Sequence, residues 1–437
     1  MAGVPSQYEG LLTDRYADII DPIPEIGTIR DLIPFVPNAQ MSGKDYVYPI
    51  LMSDEMGVTF SNSGDIANLN PSIPAASKEA KLSAPDVFTT AELGYSMQVR
   101  GQNGNSPNGS QPSYVEFYDQ KVTSMLRGCA NWVELSLLHG CGTAATAVDD
   151  CGVVHTTPVA SGSGTTYASA TVQFTKASYI KDLWDNVQNS MWDVLNSAGT
   201  SIVATGVKVV SIADHSKCQV VVSCATGSSG VTVTSGHRFV PMGSFQNACV
   251  GLAGQIKNTG TFANINATTY SKHKGNVFNV GGQLTRGKLF QAIAGLPAVP
   301  GGKRQLVALI NPFTFADIAE ETHTATTFFS NGQAIESKEI GTTELQYVAP
   351  KAMLRVISYD LAKQGSGVVF DPSIAVRIGG TDVTMRSYDG GAITLHIAGK
   401  SGFEMRAMSQ QAPLLRQMNV NTLLAGVVNT GGFAPAD

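Results

Sequence analysis

Seven apolar residues spaced three or four apart between Ser113 and Leu138 constrain this chain more than any other feature. Val115, Tyr118, Val122, Met125, Cys129, Trp132 and Leu135 fall on one stripe of a helix, which at 1.5 Å per residue is about 39 Å long. His139-Gly140-Cys141-Gly142 follows directly, and glycine there supplies the left-handed geometry that stops a helix. The residues ahead of this helix contain almost nothing that could fold alone. A long helix behind an arm that needs partners points to a protein that builds something.

The arm runs from Met1 to Gln40. Its prolines at 22, 24, 34 and 37 leave room for one short helix, between Pro5 and Pro22. Small apolar clusters (Ile19-Ile20, Leu32-Ile33, Phe35-Val36) surround those prolines. They are too hydrophobic for a solvated tail and too broken for a core. The segment therefore lies across another surface, its own body or a neighbouring subunit, and most of its buried contacts are expected with other subunits. Residues 43–90 alternate at Tyr46, Tyr48, Ile50 and again at Val58 and Phe60, around a Gly/Asn/Ser/Pro-rich zone from Ser61 to Ala76. That pattern reads as a long two-stranded hairpin, and a lone hairpin is marginal in water without a surface beneath it.

Composition narrows the class. Only 14% of the residues are charged, against about a quarter in ordinary globular chains, which fits a surface largely covered by further copies. Forty-five glycines and many Thr/Ser/Asn clusters indicate strands and turns rather than a helical bundle. The net charge is −5 with no Lys/Arg run, so tight phosphate binding is not expected. Lys272-His273-Lys274, the densest basic spot, reads as a solvated turn. No stretch reaches roughly 18 consecutive apolar residues, and no basic segment leads into an apolar run at the N-terminus, so neither a membrane span nor a signal peptide is expected. Maturation in cytoplasm, or in a virus assembled there, follows from that reading.

Six cysteines (129, 141, 151, 218, 224 and 249) show none of the closely paired spacings used by zinc and redox sites, and read as buried structural thiols. His139, Cys141, Cys151 and His155 are near enough in sequence to suggest a tetrahedral zinc site, but they occupy what looks like a loop exit. Enzyme motifs fail. Gly399-Lys400-Ser401 resembles the end of a phosphate-binding loop, yet Thr394 stands where its first glycine is required and a strand-like run, Ala392 to Ile397, replaces the loop. Glu320-Glu321 beside His323 could be acid/base machinery, but read more simply as an exposed helix end after Pro312–Ala319. There is no nucleophile elbow, zinc-protease motif or dinucleotide fingerprint. No catalytic, cofactor-binding or metal-ligating residue is assigned.

Beyond the Ser/Gly/Thr linker Ser161–Thr166 come short strands: Thr171–Phe174, Val207–Ile212, Gln219–Ser223, Val231–Val233 and Arg238–Val240. The second and third are joined through Asp214-His215-Ser216-Lys217 as a hairpin. Lys176–Leu195 reads as a helical turn followed by a strand. Together they form a β-rich insertion of about 80 residues. From about Gly251 onward helices (Leu284–Leu296, Pro312–Ala319) mix with strands (Leu306–Ile310, Leu354–Tyr359, Val368–Phe370, Val383–Tyr388, Ala392–Ile397, Phe403–Met408). The unbroken run Leu306–Ile310 predicts a strand buried on both faces, with the following helix packed over it. The fold class is α+β.

This order resembles the major capsid proteins of tailed bacteriophages, with the Hong Kong ninety-seven-like fold. A Pro-broken arm, an extended hairpin, and a long helix closing in Glu134-Leu135-Ser136-Leu137-Leu138-His139-Gly140-Cys141-Gly142-Thr143 are similar to that family's N-arm, E-loop and spine helix. Phe245-Gln246-Asn247-Ala248 leading to Gly251-Leu252-Ala253-Gly254, then Thr285–Leu296 and the stretch from Gly301-Gly302 to Asn311-Pro312, resemble the way into its axial domain. Pro413 and Val420–Val427 resemble the segment that returns to its peripheral domain. The resemblance implies an N-arm (1–42), an E-loop hairpin (43–90), a peripheral domain with the spine helix (91–160), an inserted β-rich subdomain (161–250), an axial domain (251–380) and closing strands of the peripheral domain (381–437). The insertion departs from the minimal fold, and no scaffold-like N-terminal extension is evident.

The function so implied is a structural, non-enzymatic subunit without cofactors. Identical copies would form hexamers and pentamers of an icosahedral head enclosing double-stranded DNA. Further expected partners are separate scaffolding, portal and decoration proteins; the packaged DNA would be touched weakly and non-specifically, and no membrane is involved. The chain would reside in the virion, assembled in the host cytoplasm. A mildly acidic chain suits a container that must not grip phosphates. Two rival classes are an encapsulin-like nanocompartment shell and a secreted β-rich enzyme or adhesin, the latter opposed by the absent signal peptide.

Overall fold

The computed structural model describes residues 26–37, 45–62, 68–95, 113–140, 150–158, 166–167, 169–223, 231–297, 304–329, 344–349, 351–385, 394–397 and 399–435. The chain divides into two units made of interleaved segments. One comprises 1–27, 86–134 and 381–410; the other comprises 28–85, 135–380 and 411–437.

In the smaller unit, Asp86–Gly94 runs antiparallel to Gly402–Leu415, in register from Gly94↔Gly402 to Asp86↔Gln410. Thr394–His396 pairs on the other side of that strand. Of the strand expected at Val383–Tyr388, residues 383–385 end a longer one, Ala375–Met385, and residues 386–388 lie outside the described residues. The helix spans Ser113–His139. Within the unit Met125 and Cys129 of its stripe are buried, Val122 and Trp132 are half-buried, and Lys121 Nζ donates to the Glu92 carbonyl at 2.9 Å. The side chains of Val115 and Tyr118 lie outside the described residues. One stripe does not describe the helix end, because Val133, Glu134, Leu135, Leu137, Leu138 and His139 are all buried. Its last two turns are enclosed all round.

The helix stop has a steric cause. Gly140 sits at φ +69, and a Cβ there would lie 2.5 Å from the Cys249 carbonyl oxygen. A Cβ on Gly251 would lie 2.5 Å from the Leu138 carbonyl carbon and 2.6 Å from the Gly140 nitrogen. Two backbone segments thus touch through two glycines, which explains both glycine-bearing stretches of the sequence.

The core of the larger unit is a six-stranded sheet in the order Asn276–Gly282, Thr422–Val427, Ser366–Phe370, Arg304–Ile310, Ala352–Ser358, Glu344–Val348. Arg304–Ile310 pairs parallel to Ala352–Ser358 and antiparallel to Ser366–Phe370. Its last five residues, Leu306 to Ile310, are buried, as a strand covered on both faces requires. Leu289, Ala292 and Ile293 of helix Arg286–Ala294 and Ile318 of helix Pro312–Phe329 pack into the same cluster as Leu306, Ala308, Val356 and Leu424. Thr285 Oγ1 caps the first helix by accepting from Lys288 N, and Asn311 Oδ1 accepts from Phe313 N at 3.1 Å beside Pro312 at the start of the second. That second helix runs ten residues beyond the expected end at Ala319. Val420–Val427, expected to return to the peripheral domain, is corrected here. Its strand lies inside this sheet, parallel to Asn276–Gly282 and antiparallel to Ser366–Phe370.

A closed barrel is built from Gly152–Thr156, Ser169–Phe174, Met191–Leu195, Ile202–Asp214, Gln219–Ser223 and Arg238–Pro241. Alternation drives it: Val172, Phe174, Val207, Val209, Val220 and Val222 point inward and are buried. Closure removes the strand edges, with their unpaired backbone groups, that an open sheet would expose. Phe174 stacks on Trp184 at 4.6 Å, and Trp184 meets Trp192 at 4.9 Å. The turn between Asp214 and Gln219 uses Asp214 Oδ1 as acceptor for Ser216 N and a left-handed Cys218. The barrel opens with Gly152, ahead of residue 161, where the sequence reading begins the insertion.

The arm's described part, residues 26–37, is held by its own chain. Ile29 and Ile33 are fully buried. Phe35–Pro37 pairs parallel with Arg377–Gly379. Buried Arg377 donates to the Ile33 carbonyl at 2.8 Å, the Arg30 carbonyl at 3.1 Å and Gln411 Oε1 at 2.7 Å, with its guanidinium over the Phe35 ring. Residues 1–25 lie outside the described set.

Candidate assembly surface

The hairpin exists, with its second strand after the turn zone, but its first strand ends before the alternation at Val58 and Phe60. Asp45–Ser53 pairs antiparallel with Ala76–Ser83, so Val58 and Phe60 belong to the connection between them. At its root Met52 and Ala80 are buried against Ile265, with Tyr48, Ile50, Ala263 and Tyr270 packed around them. Lys81 N donates to the Ala263 carbonyl at 3.0 Å. The short pair Thr261–Phe262 and Ile265–Asn266 is thus the platform on which the hairpin stands.

Away from the platform the connection keeps its shape through polar groups. Met56 and Ile73 exchange two backbone hydrogen bonds at 3.0 and 3.1 Å. Asn70 donates from its backbone to Thr59 Oγ1 and from its side chain to the Val58 carbonyl. The apolar side chains face outward. Phe60 is 95% exposed and Leu69 83%, with Val47, Leu51, Met56, Val58 and Ile73 also exposed. Full burial of a side chain of this size is worth about 1.5–3 kcal/mol, so covering this row supplies on the order of 10 kcal/mol before association costs. Scattered apolar residues on a surface need no explanation, but seven on one hairpin form an unpartnered patch.

The residues singled out as possible chemistry go elsewhere. His139 is buried, with Nε2 2.8 Å from the Leu361 carbonyl oxygen. Cys151 is buried, and its backbone N donates to the Phe239 carbonyl within the barrel. His155 is half-buried in strand Gly152–Thr156, and Cys141 lies outside the described residues. Among the described residues no group of three or more His, Cys, Asp or Glu could hold a metal. Cys129, Cys151, Cys218 and Cys249 are buried, and burial pushes the Cys218 thiol up to about 12. Gly399-Lys400-Ser401 is a turn with Gly399 at φ +78, and Lys400 pairs with Glu92 at 3.0 Å. Glu320 and Glu321 fall inside helix Pro312–Phe329 rather than after it, and Glu321 Oε2 accepts from Arg286 N at 2.8 Å. His323's side chain is outside the described residues.

Two features escaped the sequence reading. One is a buried charge cluster: Asp150 accepts from Lys363 Nζ at 2.8 Å and from Arg238 at 2.9 Å, with Asp150 and Lys363 each 2% exposed. Its members lie up to 213 positions apart, and nothing local marks them. The other is His273, buried rather than solvated in the turn Ser271–His273. Burial holds its pKa below the usual imidazole range, against a smaller opposite effect of a backbone hydrogen bond with Phe262.

Among solved structures, the chain is similar along nearly its whole length to a subunit of the cyanophage A-1(L) capsid, with 11% identity, 96% of this chain and 98% of that chain covered, and a TM-score of 0.52. The capsid of cyanophage P-SCSP1u matches at 8% identity over 98% and 100% of the two chains, with a TM-score of 0.46. The SrpI encapsulin of Synechococcus elongatus PCC 7942 matches at 8% identity over 96% of each chain, with a TM-score of 0.39. No family model matches the chain, and no curated protein does. The first likeness gives the fold: this α+β chain has the tailed-phage capsid fold that the sequence resemblance implied.

Proposed function

We propose that this chain is the major capsid subunit of a tailed phage, assembling with identical copies into hexamers and pentamers of an icosahedral head around double-stranded DNA. The observation that carries the reading is the outward apolar row from Val47 to Ile73 on a hairpin whose ladder packs against Ile265, in a chain with the fold of a capsid subunit. A second copy covers that row. Contacts that are heterologous and close into rings produce capsomers, and a hairpin reaching past its own body joins them. The role is structural: no catalytic residue, cofactor or metal takes part. Scaffolding, portal and decoration proteins are separate partners. The net charge of −5 keeps contact with packaged DNA weak. The chain resides in the virion, assembled in the host cytoplasm.

The test is a pair of charges in the row. Phe60→Asp with Leu69→Asp leaves the urea midpoint of the unassembled subunit unchanged, because neither side chain is buried in it, and abolishes closed particles. Normal particles from this variant would refute the role of the hairpin. Nuclease-protected DNA in wild-type particles supports the capsid reading, whereas a protein cargo and no DNA would favour a nanocompartment shell.

A further inference from the structure

At the root of the hairpin lies a cleft of about 550 Å³ that the assembly reading does not use. Its walls include Tyr46 and Tyr48 from the hairpin, Lys272 and His273 from the basic turn, Arg304 from the start of the central strand, and Arg416. Three polar atoms in these walls are buried and have no hydrogen-bond partner: Tyr48 Oη, His273 Nε2 and Arg304 Nε. Buried polar atoms are almost always paired, His273 is only 3% exposed, and all three orphans belong to residues that line this one cleft.

The chemistry of a ligand for this cleft follows from the wall. Lys272 and Arg416 are exposed and have no carboxylate partner among the described residues. Arg304 reaches Asp371 with its Nη1 at 3.4 Å, while its buried Nε has no hydrogen-bond partner. No Asp or Glu lines the cleft. The inventory is a guanidinium Nε–H, a phenol O–H, two further cations, and an imidazole nitrogen that donates once protonated. All of these complement negatively charged oxygen, and the volume falls within the range of small-ligand sites. We infer that this cleft is an oxyanion-binding site that takes a phosphate, sulfate or carboxylate group at the hairpin root. Its occupant bridges the hairpin to the turn Ser271–His273 and the strand Arg304–Ile310, and so fixes the angle at which the hairpin leaves the body.

The inference does not depend on shell formation, and its test uses the full-length, unassembled subunit. Sulfate is the probe, since its charge does not change between pH 6 and 8, and the readouts are calorimetry and tyrosine fluorescence. Saturable binding is expected in the millimolar range or tighter, weakened at least tenfold by Lys272→Ala with Arg416→Ala, two exposed positions that leave folding intact. Tyr48→Phe should weaken it several-fold. Wild-type affinity should rise as the pH falls toward 6, because a bound anion favours the His273 imidazolium; the other polar and charged groups lining the cleft with it are Tyr46, Tyr48, Lys272, Arg304 and Arg416. His273→Asn should flatten that dependence.

A density map of assembled particles identifies the source. An isolated ion in the cleft means a free anion, and an Asp or Glu of a neighbouring copy means a carboxylate from the shell itself. Either agrees with the inference. No saturable sulfate binding, or binding unchanged in the Lys272/Arg416 variant, would overturn it, as would an apolar side chain filling the cleft in the map. Failure to form shells would leave the sulfate result standing, so the two readings fail separately.

Discussion

Glycine to alanine at two positions should have opposite effects, and the contrast tests how the spine helix is joined to the body. At Gly251 φ is −69, an ordinary value, so alanine brings no dihedral strain. Its Cβ would nevertheless stand 2.5 Å from the Leu138 carbonyl carbon and 2.6 Å from the Gly140 nitrogen. Both are backbone atoms of the helix end, and both lie well inside contact distance. Neither can rotate away, and Gly140 cannot retreat because it is pressed against Cys249. Overpacking in a rigid core costs about 1–3 kcal/mol, and two backbone overlaps at one site place Gly251→Ala at about 3 kcal/mol or more. Gly128 lies inside the same helix, with nothing within 4 Å of an added Cβ. There alanine stabilises by about 0.5–1 kcal/mol, the helix-interior penalty of glycine. Urea unfolding of the unassembled subunit measures both, with an unchanged m-value confirming that the native state is what shifted. If Gly251→Ala fell within 0.5 kcal/mol of wild type, or Gly128→Ala destabilised as much, the close backbone contact would be wrong.

Met125→Asp places a carboxylate on a face that is 4% exposed and should cost several kcal/mol, enough to leave no cooperative unfolding transition; a wild-type melting curve would show that the stripe is misassigned. Asp150→Asn strands the buried Lys363 ammonium and should cost about 3–5 kcal/mol, with Lys363→Met in the same chain restoring much of it. An Asp150→Asn single variant as stable as wild type would mean that the cluster carries no structural load. Because the folded Cys218 thiol titrates near 12, well above an unfolded thiol at about 8.5, its contribution is complete below about pH 8.5 and declines as pH rises toward 12. The urea midpoint should therefore fall between pH 9 and 11 in wild type and fall less in Cys218→Ala; equal slopes would count against burial as the cause.

Elements that bury a periodic face within their own chain were legible. The helix Ser113–His139, the run Leu306–Ile310 and the turn at Asp214–Lys217 were read directly, because spacing, hydrophobicity and turn chemistry agree there. The bounds of Ala76–Ser83 are not legible, because its sequence, ASKEAKLS, buries only Ala80 and Leu82. Val58 and Phe60 look like a strand for the opposite reason: they are apolar, yet stand exposed among the described residues. Periodicity assumes that the missing partner is intrachain, and an assembly surface breaks that assumption. Arg377 and the arm it clamps are 344 positions apart, and the Asp150 cluster and the cleft at His273 likewise bring distant segments together. Such sites are made by topology, and no local window contains them.

The account turns on whether this chain closes into shells. Cryo-electron microscopy of the purified full-length protein is the direct measurement. It should show icosahedral particles with hexameric and pentameric capsomers, in which Phe60 and Leu69 of one subunit are buried against the next. Monodisperse single subunits across assembly conditions, or closed particles in which the hairpin row stays exposed to solvent, would contradict it.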